Sequence, residues 1–89
     1  MYDVNWLTLE LHPDYEINNY GTVRHVKTKK IVKPTINRGY YRIRLNGKRY
    51  YVHKLVMETF YDEIPNRYIK FKNKNKLEPY LDNLEYILK

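Results

Sequence analysis

Apolar and polar residues alternate most regularly across residues 39–53, and that alternation predicts a β-hairpin. Asn46-Gly47 fits a type I′ turn, whose two central residues need positive φ. With that pair as the loop, Leu45 faces Lys48, Arg44 faces Arg49, Ile43 faces Tyr50, Arg42 faces Tyr51 and Tyr41 faces Val52. One face then turns Tyr41, Ile43, Tyr50 and Val52 toward a core, and the other carries Tyr40, Arg42, Arg44, Arg49, Tyr51 and His53. Upstream, residues 1–11 with Trp6 read as an edge segment over the core, broken at His12-Pro13. Residues 15–17 and 22–26 read as short paired strands around the turn Asn18-Asn19-Tyr20-Gly21. A basic turn at 27–30 leads to an extended piece at Ile31-Val32 that stops at Pro34. After the hairpin the period changes. Leu55, Val56, Thr59 and Phe60 fall at helical spacing, with Lys54 and Glu58 an i,i+4 pair, so residues 54–61 are predicted helical, ended by Asp62 and Pro65. Residues 67–77 are extended or loop, and in a strand Lys70, Lys72, Lys74 and Lys76 would all point one way. Residues 81–88 close the chain as a strand or a turn plus strand. The expected class is α+β: a small antiparallel sheet and hairpins with one short helix, in a single domain over residues 1–89.

Charge sharpens this picture. Between residues 17 and 57 the chain has eleven Lys and Arg and no Asp or Glu, so its formal net charge of +7 is concentrated in one block. Like charges do not help a small domain fold, but they attract and orient a polyanion. Eleven tyrosines stand among 89 residues. Tyr packs its ring in a thin core while its hydroxyl stays wet, and it also stacks on bases. The chain has no Cys, which excludes disulfides and thiolate metal sites. It shows neither a signal peptide nor a run long enough to span a membrane, so the expectation is a soluble cytoplasmic protein with no membrane partner.

Candidate chemistry follows from the hairpin. Arg44 opposite Arg49 is unfavourable in isolation, and an anion between them would relieve the repulsion. A basic face interleaved with aromatics suits phosphate and base contacts. The candidate nucleic-acid contacts are Arg24, Lys27, Lys29, Lys30, Arg38, Tyr40, Arg42, Arg44, Lys48, Arg49 and Tyr51, then Lys70, Lys72, Lys74 and Lys76. The plain alternative is a solvated face with long side chains lying over Tyr rings. No Gly-rich phosphate loop and no Ser/His/Asp set is visible.

Four segments together resemble the phage and intron-encoded HNH endonucleases. Residues 14–24, Asp-Tyr-Glu-Ile-Asn-Asn-Tyr-Gly-Thr-Val-Arg, resemble that family's Y-E-[IV]-S-N-x-G-x-V-R signature, which usually follows a Trp such as Trp6. Lys33-Pro34, Asn37 and Gly39-Tyr40 resemble its N-x-G-Y-x-x-[VI]-x-L strand, ending here in Ile43-Arg44-Leu45. Tyr51-Val52-His53-Lys54-Leu55-Val56 resembles V-H-R-L-V, and Leu81-Asp82-Asn83-Leu84-Glu85-Tyr86 resembles L-x-N-L-x-W. By this resemblance residues 1–50 correspond to an N-terminal module and residues 51–89 to a truncated HNH core, ββα-like and degenerate.

The departures shape the functional expectation. Family enzymes read roughly [DN]-H-x-D-G-N-K-x-N-N before L-x-N-L-x-W. Counted back from Asn83, the resemblance puts the general-base His on Phe71 and a metal-binding Asp or its polar neighbour on Lys70. A phenyl ring accepts no proton from water, and an ammonium group repels a divalent cation. The family's second metal ligand lies on a helix beyond the segment that ends at Lys89. His53 matches the V-H-R-L-V histidine, which precedes the catalytic motif and implies a structural or backbone role. The chain is therefore expected to be no enzyme and to have no catalytic residue, metal or cofactor. The leading expectation is a phage-type protein that binds double-stranded DNA without cutting it. An alternative is a phage-encoded inhibitor that binds a host defence or transcription protein, since Tyr and Arg also mark protein interfaces. A third is a residual nuclease.

Overall fold

The computed structural model describes residues 4–62 and 67–88. Three small antiparallel sheets surround one helix among the described residues. In the first, β1 (Trp6–Thr8), β2 (Tyr15–Asn18), β3 (Val23–His25) and β4 (Ile31–Val32) lie in sequence order. The second holds β5 (Thr35–Asn37), β6 (Tyr40–Leu45) and β7 (Lys48–Tyr51), and the third is the ribbon of β8 (Arg67–Phe71) and β9 (Leu84–Leu88). Helix α1 (Val52–Tyr61) follows β7 directly, and a 3-10 turn at Leu81–Asn83 leads into β9. The class is α+β, as the periodicity predicts. Pro65 and residues 1–3, part of the expected helix stop and edge segment, lie outside the described residues.

The central hairpin has the predicted register: Leu45 pairs with Lys48, Arg44 with Arg49, Ile43 with Tyr50 and Arg42 with Tyr51. Asn46 and Gly47 have φ of 49° and 84°, as a type I′ turn requires. The predicted pairing of Tyr41 with Val52 does not form, because the helix begins two residues before the expected Lys54. Val52 is 2% exposed and packs inward as the helix's first buried residue, so burial there outweighs strand continuation. His53 consequently belongs to the helix and not to the hairpin face.

A further strand, β5, was not expected. It pairs Asn37 with Tyr40, which leaves Arg38 and Gly39 as a second two-residue turn with φ of 55° and 85°. The lysine series is also redrawn. Only Lys70 lies in a strand, while Lys72, Lys74 and Lys76 belong to the turn that follows β8, so the four do not share a strand face.

The core joins all three sheets to the helix. Ile17 and Val23, Ile43 and Leu45, Phe71 and Leu84 pack with Val52, Leu55, Val56 and Met57 of α1. Each such side chain contributes about 1.5–3 kcal/mol through burial. Tyr15, Tyr40, Tyr41, Tyr50 and Tyr86 pack half-buried against this centre. Two of their hydroxyls make long-range contacts: Tyr50 meets His12 Nε2 at 2.6 Å, and Tyr86 donates to the Asp62 carbonyl at 2.9 Å. The Asn46 amide nitrogen lies 3.1 Å from His12 Nδ1, so Nδ1 accepts and Nε2–H donates to Tyr50. Buried His12 thus pins the tip of the basic hairpin to the N-terminal segment. No helix among the described residues is long and apolar enough to cross a membrane.

Candidate nucleic-acid interface

The predicted contact residues fall in three settings. Arg24 is the most constrained. It pairs across the sheet with Glu16, donates to it from Nε at 2.5 Å, and lays its guanidinium 3.6 Å over the Trp6 ring. Lys29 reaches the same carboxylate at 3.4 Å. The Arg24 hydrogen bond, and then Lys29, hold the Glu16 carboxyl below its usual pKa. Arg24 is therefore partly engaged within the fold, which sequence spacing did not show. Lys27, Lys29 and Lys30 are exposed on the turn between β3 and β4.

The second setting is the hairpin. Arg44 and Arg49 are exposed, while Arg42, Tyr40 and Tyr51 are half-buried on the same face; Lys48, paired with Leu45, is exposed at the hairpin tip on the other face. The Tyr51 hydroxyl donates to Asn37 Oδ1 at 2.8 Å, so β5 fixes the ring from the side.

The third setting is the loop after β8. Its backbone is shaped by amide side chains. Asn83 Oδ1 accepts from the Asn73 N–H at 3.0 Å, and its Nδ2 donates to Asn73 Oδ1 and to the Glu78 carbonyl. Asn73 and Asn75 each accept from the backbone two residues on. Both also donate from Nδ2 to the Glu78 carboxylate. Such local side-chain bonds replace a strand ladder. Glu78 looks isolated in the sequence, yet it closes the loop. Lys72, Lys74 and Lys76 project from this frame, all exposed.

Hairpin and loop meet at Lys76. A Cβ built on Gly39 would lie 3.6 Å from Lys76 Cδ, so the lysine stem crosses the turn between β5 and β6. Its ammonium stands 5.0 Å from the Tyr40 ring centroid. Two basic clusters that are distant in sequence thus become neighbours.

Phe71 is 7% exposed and belongs to the core, while Lys70 is exposed on β8. Among the described residues no group of three or more His, Cys, Asp or Glu side chains could hold a metal ion. The residues present do not fit the divalent cation that the resemblance implies. What sequence reasoning missed is that α1 brings His53 to 5.2 Å from the Phe71 ring, in ring contact with the position assigned to the base. Burial, helped by the neighbouring Lys54 ammonium, pushes the His53 pKa from 6.5 down to about 4. The imidazole is therefore neutral at neutral pH. Between those two values the unfolded chain binds a proton that the folded chain refuses, so stability should fall as pH drops through that window. Urea midpoints measured from about pH 7 to about pH 4 should decline in the wild type. His53→Phe should flatten the decline, and an unchanged slope would assign it to other groups.

Comparison with known proteins gives three matches. A NUMOD4 motif model matches residues 5–46. An uncharacterized HNH endonuclease of Acanthamoeba polyphaga mimivirus is 33% identical over 87 residues, covering 91% of this chain and 26% of the viral protein. The solved HNH homing endonuclease I-HmuI, described as binding and cleaving DNA, superposes with a TM-score of 0.84 at 28% identity, over 94% of this chain and 52% of its own. The chain thus spans about a quarter of one relative and half of the other. The expectation that the chain is no enzyme is overturned, since both relatives are named endonucleases and share nearly all of this chain's length. That expectation rested on the residue types at Lys70 and Phe71 and on the family's second-ligand helix, and it did not anticipate His53 against the Phe71 ring.

Proposed function

This chain belongs to the HNH-type homing endonuclease family, and on that premise we propose that its basic surface grips double-stranded DNA. The observation that carries the reading is the contact of Lys76 with Gly39 and Tyr40, which makes one surface of the hairpin cations and the loop lysines. Arg38, Arg42, Arg44, Lys48 and Arg49 on one side, and Lys70, Lys72, Lys74 and Lys76 on the other, neutralise backbone phosphates. Arg24, Lys27, Lys29 and Lys30 extend the field, with Arg24 and Lys29 shared with Glu16. Tyr40 and Tyr51 supply flat apolar contact between the charges. The DNA binding in the description of I-HmuI supports this assignment. The test is binding of labelled duplex at low and moderate salt. A steep loss of affinity with salt is expected, and no binding at low salt would remove the reading.

A second reading is strand cleavage, favoured by the names of both relatives and by the position of the His53 imidazole beside Phe71. A neutral imidazole is the form that accepts a proton from an attacking water, and the lowered pKa of His53 makes it a weaker base than an ordinary histidine. Supercoiled plasmid incubated with the chain and Mg²⁺ or Mn²⁺ should then yield nicked product, and His53→Gln should lose it. Plasmid left intact by the wild type, or nicked equally by the variant, removes His53 from that role.

A further inference from the structure

Four aromatic rings meet where the hairpin, the helix and the ribbon converge. Tyr40 lies 4.9 Å from His53, 5.7 Å from Tyr51 and 5.8 Å from Phe71, centroid to centroid. His53 lies 5.5 Å from Tyr51 and 5.2 Å from Phe71. The rings come from β6, β7, α1 and β8, so four separate elements hold the cluster rigid. Phe71 forms its buried side, while Tyr40, Tyr51 and His53 remain half-exposed. A core of this size does not require a histidine among three other rings.

The Lys76 ammonium stands over the Tyr40 ring from an exposed, flexible side chain. A cation over a ring at an exposed site is a weak contact, weaker than an aromatic ring stacked on a base. We propose that Tyr40 is a stacking platform for an unpaired nucleobase, which takes the place of the Lys76 ammonium over the ring. The inference rests on the duplex-binding reading above and says what kind of DNA that surface prefers. Paired bases inside a duplex turn their flat faces to each other, so only a bulged, flipped or single-stranded base can offer a face to Tyr40. The displaced Lys76 stays tethered to the Asn73–Glu78–Asn83 frame beside Gly39. It then reaches the phosphates that flank the base, so the incoming strand exchanges a cation–π contact for stacking plus ion pairing. The neutral state of His53 fits the same role, because an uncharged imidazole edge keeps the cluster apolar.

Two labelled duplexes test this, identical except that one carries a bulged 2-aminopurine. The bulged duplex should bind about tenfold more tightly, and its 2-aminopurine emission should be quenched on binding, as base–aromatic stacking predicts. Tyr40→Phe should keep both effects. Tyr40→Leu should bring the affinity ratio to one and abolish the quenching, whatever it does to the affinity for paired DNA. The wild-type quenching needs no variant, so the test survives if Tyr40→Leu fails to fold. Equal affinities and no quenching, with steep salt dependence retained, would overturn the stacking site and leave duplex binding intact. A preference that persists in Tyr40→Leu would also overturn it, by placing the base elsewhere. Absence of binding to either duplex would remove the duplex-binding reading and this inference with it.

Discussion

Raising salt from about 50 to about 200 mM should weaken duplex binding by roughly a thousandfold. The estimate follows from counterion release: about six neutralised phosphates give a logarithmic slope near −5 across a fourfold change in salt. Six is a conservative share of the available cations, since Lys29 and Arg24 are partly held by Glu16 and a curved surface does not offer every lysine at once. Neutralising one exposed residue such as Lys72 should lower affinity modestly and reduce the slope by about one, equally for all sequences. Titration of labelled duplex at four or so salt concentrations measures both quantities. A slope near −1 would mean that one or two cations touch DNA, and the joined hairpin and loop surface would not be the interface.

Gly21→Ala should destabilise the fold by about 2–5 kcal/mol. Two effects combine at this position. Gly21 has φ of +84°, where an L side chain is strained by about 1–2 kcal/mol. A Cβ there would stand 3.0 Å from Val52 Cγ1, 3.1 Å from Pro79 Cγ and 3.2 Å from the Pro79 carbonyl oxygen. Crowding a packed site adds about 1–3 kcal/mol. Neither obstacle is a flexible tip, because Val52 is buried at the start of α1 and Pro79 is buried ahead of the 3-10 turn. Gly47 is the internal control. It has the same φ of +84°, and a Cβ added there would meet nothing within 4 Å, so Gly47→Ala should show the backbone effect alone. Urea denaturation of the two variants separates strain from crowding. For a domain this size the Gly21 variant should lose at least about 1 M in midpoint. Equal losses in both would show that Val52 and Pro79 give way.

The parts of the fold legible in the sequence are those fixed by local chemistry. Asn46-Gly47 sets a turn, the turn sets a register, and period two then assigns every residue from Arg42 to Tyr51 to a face. The change to helical spacing gives α1, although its first two residues were missed because the burial of Val52 involves Gly21 and Pro79, far away in sequence. The turn at Arg38-Gly39 escaped notice since arginine is an uncommon residue at positive φ, and with it β5 was missed. The lysines at period two imitate a strand, but the asparagines between them bond to the backbone and make a loop. Site chemistry was legible as charge and opaque as geometry. Spacing cannot show that Glu16 and Trp6 hold Arg24, that Lys76 lies on Tyr40, or that His53 stands beside Phe71.

Lys29, Arg38 and Lys74 all hold left-handed backbone, with φ of 62°, 55° and 65°. Glycine or asparagine would occupy those turn tips with less strain. Selection for heat resistance alone would therefore tend to replace three cations, each exchange raising stability by a fraction of a kcal/mol to about 1 kcal/mol. A laboratory lineage evolved that way would grow sturdier and less basic together. Its decline in affinity for polyanions would arise with no damage to the core, so thermal robustness is the wrong trait by which to choose variants of this chain for use on DNA.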